Sequence, residues 1–204
     1  MDKKLVVTLF AVVIILLGVL YFAKGGTLAK DSKADEISNK VTKLMETDST
    51  TSKMKKEGEH MKEIYLAGGC FWGLEEYFSR INGVTKTTVG YANGTTEATD
   101  YQQVHTTDHA ETVHVTYDEA VISLTDILRY YFRVIDPLSI NKQGNDVGRQ
   151  YRTGIYYSVD TDLPVINRVV ASQKKKLGAE LAVEIEPLRN YILAEDYHQD
   201  YLKK

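Results

Sequence analysis

The 204-residue sequence contains one cysteine, Cys70, set in the run Gly68-Gly69-Cys70-Phe71-Trp72-Gly73-Leu74-Glu75-Glu76. A lone thiol cannot close an internal disulfide, so its use lies in reactivity, in a partner or in plain burial. Two features of the run favour reactivity. It reads as a strand turning into a helix, and a cysteine in the first turn of a helix meets unpaired backbone N–H groups and the positive end of the dipole, which favours the thiolate. Gly68 and Gly69 permit a sharp turn and close approach of a substrate, while Phe71 and Trp72 put two aromatic faces beside the sulfur, a setting suited to a small apolar group. The implied chemistry is nucleophilic attack by sulfur, with an inert buried thiol as the competing use. Glu75 and Glu76 follow on the same helix, where the dipole alone favours acids, so neither is assigned to the chemistry.

The elements that must position Cys70 follow from hydrophobic spacing. Residues 63–67 form a short strand, and 70–80 show Leu74, Tyr77, Phe78 and Ile81 at helical intervals before Asn82-Gly83 punctuates the end. Residues 84–91 return as a strand. Val113, Val115 and Tyr117 alternate with His114 and Thr116, predicting a half-buried strand that begins near Glu111. Ser123 and Asp126 form a capping-box-like start for a helix whose apolar face is Ile127, Leu128, Tyr131, Phe132 and Ile135. A strand over 153–158, a helix over 162–177 stopped by Gly178 and a final strand over 182–188 complete the series. This order predicts an α/β (α+β) sandwich, a mixed β-sheet with flanking helices around a ferredoxin-like core.

Upstream, Met1-Asp2-Lys3-Lys4 precedes a run over 5–23 that only Thr8 and Gly18 interrupt, long enough at about 1.5 Å per residue to cross a bilayer as one transmembrane helix. Lys3 and Lys4 place residues 1–4 in the cytoplasm and the bulk of the protein on the extracytoplasmic side. The run reads as a retained anchor; Thr27-Leu28-Ala29 leaves open secretion after signal cleavage. Residues 24–61 are polar and charged and read as a flexible tether, leaving 62–204 as one domain. The formal charge of −3 with no basic stripe argues against nucleic-acid binding. Five histidines without metal-ligand spacing suggest no metal site.

Gly69-Cys70-Phe71-Trp72-Gly73 at a helix start resembles the nucleophile motif of the A-type peptide methionine sulfoxide reductases. His109-Ala110-Glu111, Gly144-Asn145-Asp146, Gln150-Tyr151-Arg152 and the segment from Ala194 to Gln199 match further family motifs in order. The resemblance implies that Cys70 attacks the sulfur of the S epimer of methionine sulfoxide, in proteins and peptides and as the free amino acid, and is left as a sulfenic acid. It implies that Glu111 donates the proton to the departing oxygen, which at neutral pH calls for a raised pKa. By the same resemblance Tyr101 and Tyr151 hydrogen-bond the sulfoxide oxygen, Asp146 organises the site, and Phe71 and Trp72 hold the substrate methyl. His109 and His198 also match motif positions and read as structural hydrogen-bonders.

Many relatives carry further cysteines that resolve the sulfenic acid, and this sequence has none. No bound cofactor is expected; regeneration falls to an external thiol, either a thioredoxin-like protein or a small dithiol such as dithiothreitol. Oxidised proteins or peptides, that reductant and the membrane are the expected partners, and the protein is expected to be a monomer. A one-cysteine thiol peroxidase and a surface-tethered, non-turnover binding module remain as alternatives.

Overall fold

The computed structural model describes residues 60–204; the apolar run 5–23 and nearly all of the polar stretch 24–61 lie outside them. The described chain runs β1 (Met61–Gly68), α1 (Phe71–Ser79), β2 (Val84–Ala92), β3 (Ala110–Asp118), α2 (Leu124–Val134), β4 (Lys142–Gln143), β5 (Asp146–Val147), β6 (Thr153–Tyr157), α3 (Leu163–Leu177), β7 (Glu184–Pro187) and β8 (Tyr191–Leu193). Among these residues no helix is long and apolar enough to cross a membrane.

Six strands form one sheet in the order β7-β6-β1-β3-β2-β8, and β4 and β5 make a separate two-residue hairpin. The four central strands, with α1 between β1 and β2 and α2 between β3 and β6, are the split βαβ arrangement, all antiparallel. The mixed character comes from one edge: α3 carries the chain from β6 to β7, and these two strands are parallel.

All three helices lie on one face. Ile64 and Leu66 of β1, Val113 and Val115 of β3 and Ile155 of β6 meet Leu74 and Phe78 of α1, Ile127, Leu128 and Tyr131 of α2 and Ile166 and Val170 of α3. The alternate residues Tyr65, Ala67, Ala92, Ala110 and Tyr156 form a smaller cluster on the opposite face, covered by Leu188 and Tyr191 rather than by helices. The molecule is thus an α+β two-layer fold. The Ser123 hydroxyl accepts the Asp126 N–H at 3.2 Å and starts α2, and Gly178, in the left-handed conformation at φ 65°, ends α3. The strand predicted over 182–188 is confined to β7, and β8 and the β4–β5 hairpin are additional to the predicted elements.

One buried contact ties the helical layer to the end of β1 that leads into the cysteine. Tyr131, fully buried on α2, donates its hydroxyl to the Ala67 carbonyl at 2.7 Å and lies 3.3 Å from the Gly154 carbonyl. Replacing Tyr131 by Phe should lower unfolding stability by about 1–2 kcal/mol in urea titration, the size of a buried hydrogen bond lost without loss of packing.

Candidate active site

Gly69 adopts φ 82°, and a Cβ placed there would sit 2.6 Å from the Gln143 Cβ. Only glycine therefore fits between β1 and the β4 residue that lies over the turn. Gln143 is itself fixed, accepting the Asp136 N–H and donating to the Asp136 carbonyl, both at 2.8 Å. Cys70 follows as the N-cap of α1 with φ −58° and ψ 118°, and its side chain makes no cap bond. The sequence placed the thiol inside the first turn. Its actual position still lets the Trp72 and Gly73 N–H groups favour the thiolate, but burial outweighs them, and the Glu111 and Asp146 charges add to it, so the thiol is pushed up.

The cap that Cys70 does not supply comes from another strand. Phe71 N–H donates to Glu111 Oε2 at 3.0 Å, bringing the second residue of β3 to the start of α1. Glu111 is 2% exposed. Burial raises its carboxyl to about 7, against the Phe71 N–H, with the Asp146 charge adding a further upward push.

Tyr101 and Tyr151 complete one side. Burial raises both hydroxyls, Tyr151 to about 12, and Glu111, Cys70 and Asp146 act electrostatically on each. Tyr101 stands in the connection between β2 and β3, where its backbone N–H donates to Glu195 Oε1 at 3.0 Å. Arg149, in the 3-10 turn Arg149–Tyr151, donates from Nη2 to Asp108 Oδ2 at 2.9 Å and joins the two tyrosine-bearing segments. Buried Arg152 strengthens that joint, bonding the Glu184 carboxylate, the Arg149 carbonyl and the Asn93 carbonyl. Asp146 lies on β5 of the hairpin that carries Gln143.

The aromatic side is formed by α1 and the C-terminal segment. Phe71 is buried, with ring centroids 5.8 Å from Tyr91 and 5.2 Å from His198. The Trp72 indole stacks on Tyr201 at 3.7 Å and donates its N–H to His198 Nδ1 at 2.9 Å. Gln199 brackets Val89, accepting its N–H and donating to its carbonyl, both at 2.9 Å.

Glu75 differs from the solvated acid expected at a helix start. It lies in the second turn, is 2% exposed, and accepts the Asp200 N–H at 2.8 Å, so it anchors the C-terminal segment. His109 is likewise structural: its Nδ1 lies 3.0 Å from the Thr107 hydroxyl, and its ring packs so closely on Gly94 that no Cβ fits there.

The structure therefore brings Cys70, Glu111, Tyr101, Asp146, Tyr151, Phe71 and Trp72 to one site. Sequence reasoning sets Glu75 aside from the chemistry and does not single out Gln143 or Glu195. Glu195 fell within a recognised motif, whereas nothing local marked the other two. A groove of about 670 Å³ lined by residues including Tyr77, Arg80, Ile122, Arg129 and Arg133 lies at the far end of α1 and shares no residue with this site. Among the described residues no group of three or more His, Cys, Asp or Glu is placed to hold a metal ion.

A family model described as peptide methionine sulfoxide reductase matches residues 62–204. The chain belongs to that family. The solved structure of Mxr1 from Saccharomyces cerevisiae in reduced form is 38% identical, with a TM-score of 0.67, and the match covers 71% of this chain and 86% of that chain. Methionine sulfoxide reductase A of Corynebacterium diphtheriae is 33% identical, with a TM-score of 0.65 and coverage of 71% and 74%. Mxr1 in complex with Trx2 matches at 29% identity and a TM-score of 0.51, over 70% of this chain and 86% of that chain. The chain is thus an A-type methionine sulfoxide reductase, an oxidoreductase acting on methionine sulfoxide.

The raised Glu111 carboxyl has a signature in stability. The folded value of about 7 for Glu111 lies above the roughly 4.3 of an unfolded glutamate, so its stabilising contribution is complete below the unfolded value and lost as pH rises through 7. Gln at this position does not titrate and keeps a carbonyl to accept the Phe71 N–H. The stability of wild type relative to Glu111→Gln should therefore fall between pH 4 and 8 by on the order of 3 kcal/mol, read from urea midpoints across that range.

Proposed function

We propose that this reductase acts on the S epimer of methionine sulfoxide, in oxidised proteins and peptides and as the free amino acid, through a sulfenic acid on Cys70. The observation that carries the reading is the Phe71 N–H bond to Glu111, which sets a buried carboxyl of pKa about 7 against the residue that follows the thiol. The protonated carboxyl gives its proton to the sulfoxide oxygen while Cys70, as thiolate, attacks the sulfur. Oxygen passes to Cys70 as the sulfenic acid and the thioether leaves, so two electrons move from the cysteine to the substrate sulfur. A neutral Glu111 also helps the nucleophile, because its negative charge is one of the influences that hold the thiol protonated.

Tyr101 and Tyr151 donate to the same oxygen, Asp146 orients the site, and Phe71 and Trp72 hold the methyl. Nucleophile, acid and methyl cradle come from fixed positions around a stereogenic sulfur, so one epimer fits; A-type membership supports the S form.

The 204 residues contain a single cysteine, so an external reductant completes the cycle. A first thiol condenses with the sulfenic acid and releases water, and a second thiol displaces Cys70 as the free thiol. A thioredoxin-like protein supplies both thiols; the support is the Mxr1–Trx2 complex of a related chain. The apolar run 5–23 anchors the protein with the catalytic domain on the extracytoplasmic side, where tethering raises the local concentration of a membrane-bound reductant. Carbonate extraction of cell membranes should leave the protein in the pellet.

Incubation with a peptide containing S-methionine sulfoxide and dithiothreitol should regenerate methionine over many turnovers, and Cys70→Ser should abolish it. Glu111→Gln should lower kcat/KM by about 10²–10⁴-fold, and because Cys70 must be thiolate while Glu111 is protonated, the wild-type rate should rise with pH up to about 7 and level off above it, where the loss of the acid's proton offsets the gain in thiolate. Consumption of peroxide with the sulfoxide untouched would instead mark a peroxidase, and one equivalent reduced under every thiol tried would mark a non-turnover protein.

A further inference from the structure

His198 stands among the aromatic residues of the site without a part in the chemistry described. It is 1% exposed, and rings from three segments surround it: Phe71 and Trp72 of α1 at 5.2 and 5.5 Å, Tyr101 at 4.6 Å and Tyr197 at 4.2 Å. Its Nδ1 accepts the indole N–H of Trp72 at 2.9 Å. An imidazole that accepts at Nδ1 must, when neutral, carry its proton on Nε2. That Nε2 is buried and has no hydrogen-bond partner among the described residues, with Glu195 Oε2 3.9 Å away.

Glu195 belongs to the same cluster. Its Oε2 accepts the Tyr91 hydroxyl at 2.8 Å and its Oε1 accepts the Tyr101 N–H at 3.0 Å. One carboxylate thus faces the imidazole Nε2 and holds the backbone of Tyr101, while the other imidazole nitrogen holds Trp72. An orphaned buried N–H costs free energy, and the one geometric return visible for burying this histidine is the acceptor it presents to Trp72.

We propose that His198, held neutral with its proton on Nε2, is the positioning residue that fixes the Trp72 indole as a wall of the substrate-methyl pocket, with Glu195 setting the same pocket's Tyr101 wall. The proposal rests on the reading that Trp72 holds the methyl group. An indole held by one hydrogen bond and by Tyr201 behind it presents a fixed face, which serves ground-state binding of the sulfoxide more than the chemical step. Protonation of His198 would remove the acceptor, because both ring nitrogens then donate. Burial holds the imidazole below the ordinary histidine range, opposed by Glu195 and assisted by Lys204; Tyr101 and Tyr197 are the other titratable groups against the ring.

Trp72 is the only tryptophan of the sequence, so emission of the full-length protein excited at the red edge, beyond tyrosine absorption, reports the surroundings of this one indole. His198→Phe keeps a ring but no acceptor, and His198→Asn keeps an acceptor near the Nδ1 position without the ring. The phenylalanine variant should raise KM for the peptide sulfoxide about five- to tenfold with kcat within about twofold, the loss of one hydrogen bond, and the asparagine variant should recover most of that affinity. Wild-type emission should show a pH step below about 6.5, from quenching by the imidazolium, that both variants lack while any step from Glu111 near 7 remains.

Equal KM for all three proteins, equal damage by the two variants, or a loss confined to kcat would overturn the proposal. Should His198→Phe fail to fold, His198→Leu, which also lacks the acceptor, is measured alone and with Trp72→Phe: alone it should raise KM, in the Trp72→Phe background it should add less than about twofold, and independent, multiplying effects would refute the link. If Trp72→Phe alone leaves KM unchanged while emission still follows His198, the methyl-cradle reading fails and the pocket role of His198 fails with it, although the contact between the two rings stands.

Discussion

The hydrogen bond from Phe71 N–H to Glu111 Oε2 is the constraint around which the site is arranged. A helix begins with N–H groups that have no partner in the helix, and α1 begins at a cysteine whose side chain caps none of them. A carboxylate from β3 takes that role across the start of the helix. Burial at that position lets the carboxyl keep its proton to about pH 7, against the pull of the Phe71 N–H that it caps. Because Oε2 accepts the backbone N–H, the proton of the neutral carboxyl belongs on the other oxygen. Cys70 and Glu111 cannot drift apart unless α1 separates from β3.

Around that contact the irregular segments are joined side chain to backbone. Arg152 connects the beginning of the β2–β3 segment to the 3-10 turn bearing Tyr151 and to Glu184 on β7. Glu195 connects the C-terminal segment to Tyr91 and Tyr101, Gln199 connects it to β2, and Glu75 connects it to α1. Gln143 plays the same part over the Gly69 turn. Few of these groups are available to touch a substrate; they restrict the rotamers and loop positions of those that are, which keeps a reacting geometry within fractions of an ångström.

What was legible in the sequence was whatever depends on near neighbours. The alternation of Val113, Val115 and Tyr117, the Ser123 cap and the Gly178 stop each declare themselves within one element, and the split βαβ order follows from their succession. The β4–β5 hairpin and β8 are two or three residues long, too short to show a period. The helix dipole at Cys70 is legible, but the burial that outweighs it comes only with the folded chain, and the Glu111 and Asp146 charges that add to it come from distant parts of the sequence. Glu75 and Glu76 are adjacent and chemically alike; only the docking of a segment 125 residues further on separates the buried anchor from its ion-paired neighbour. The motif residues of the site were found because family resemblance encodes long-range contact, which composition and periodicity do not.

The two outer strands of the sheet, β7 with four residues and β8 with three, carry a consequence for a protein whose substrates are other polypeptides. A damaged chain with exposed main-chain groups is a ready partner for any open strand, and pairing of that kind leads to aggregation rather than repair. Here one margin ends in Pro187, which has no N–H to offer, and bears the charges of Glu184 and Glu186; the other stops after three residues. Neither margin therefore offers a client chain a long open strand to pair with.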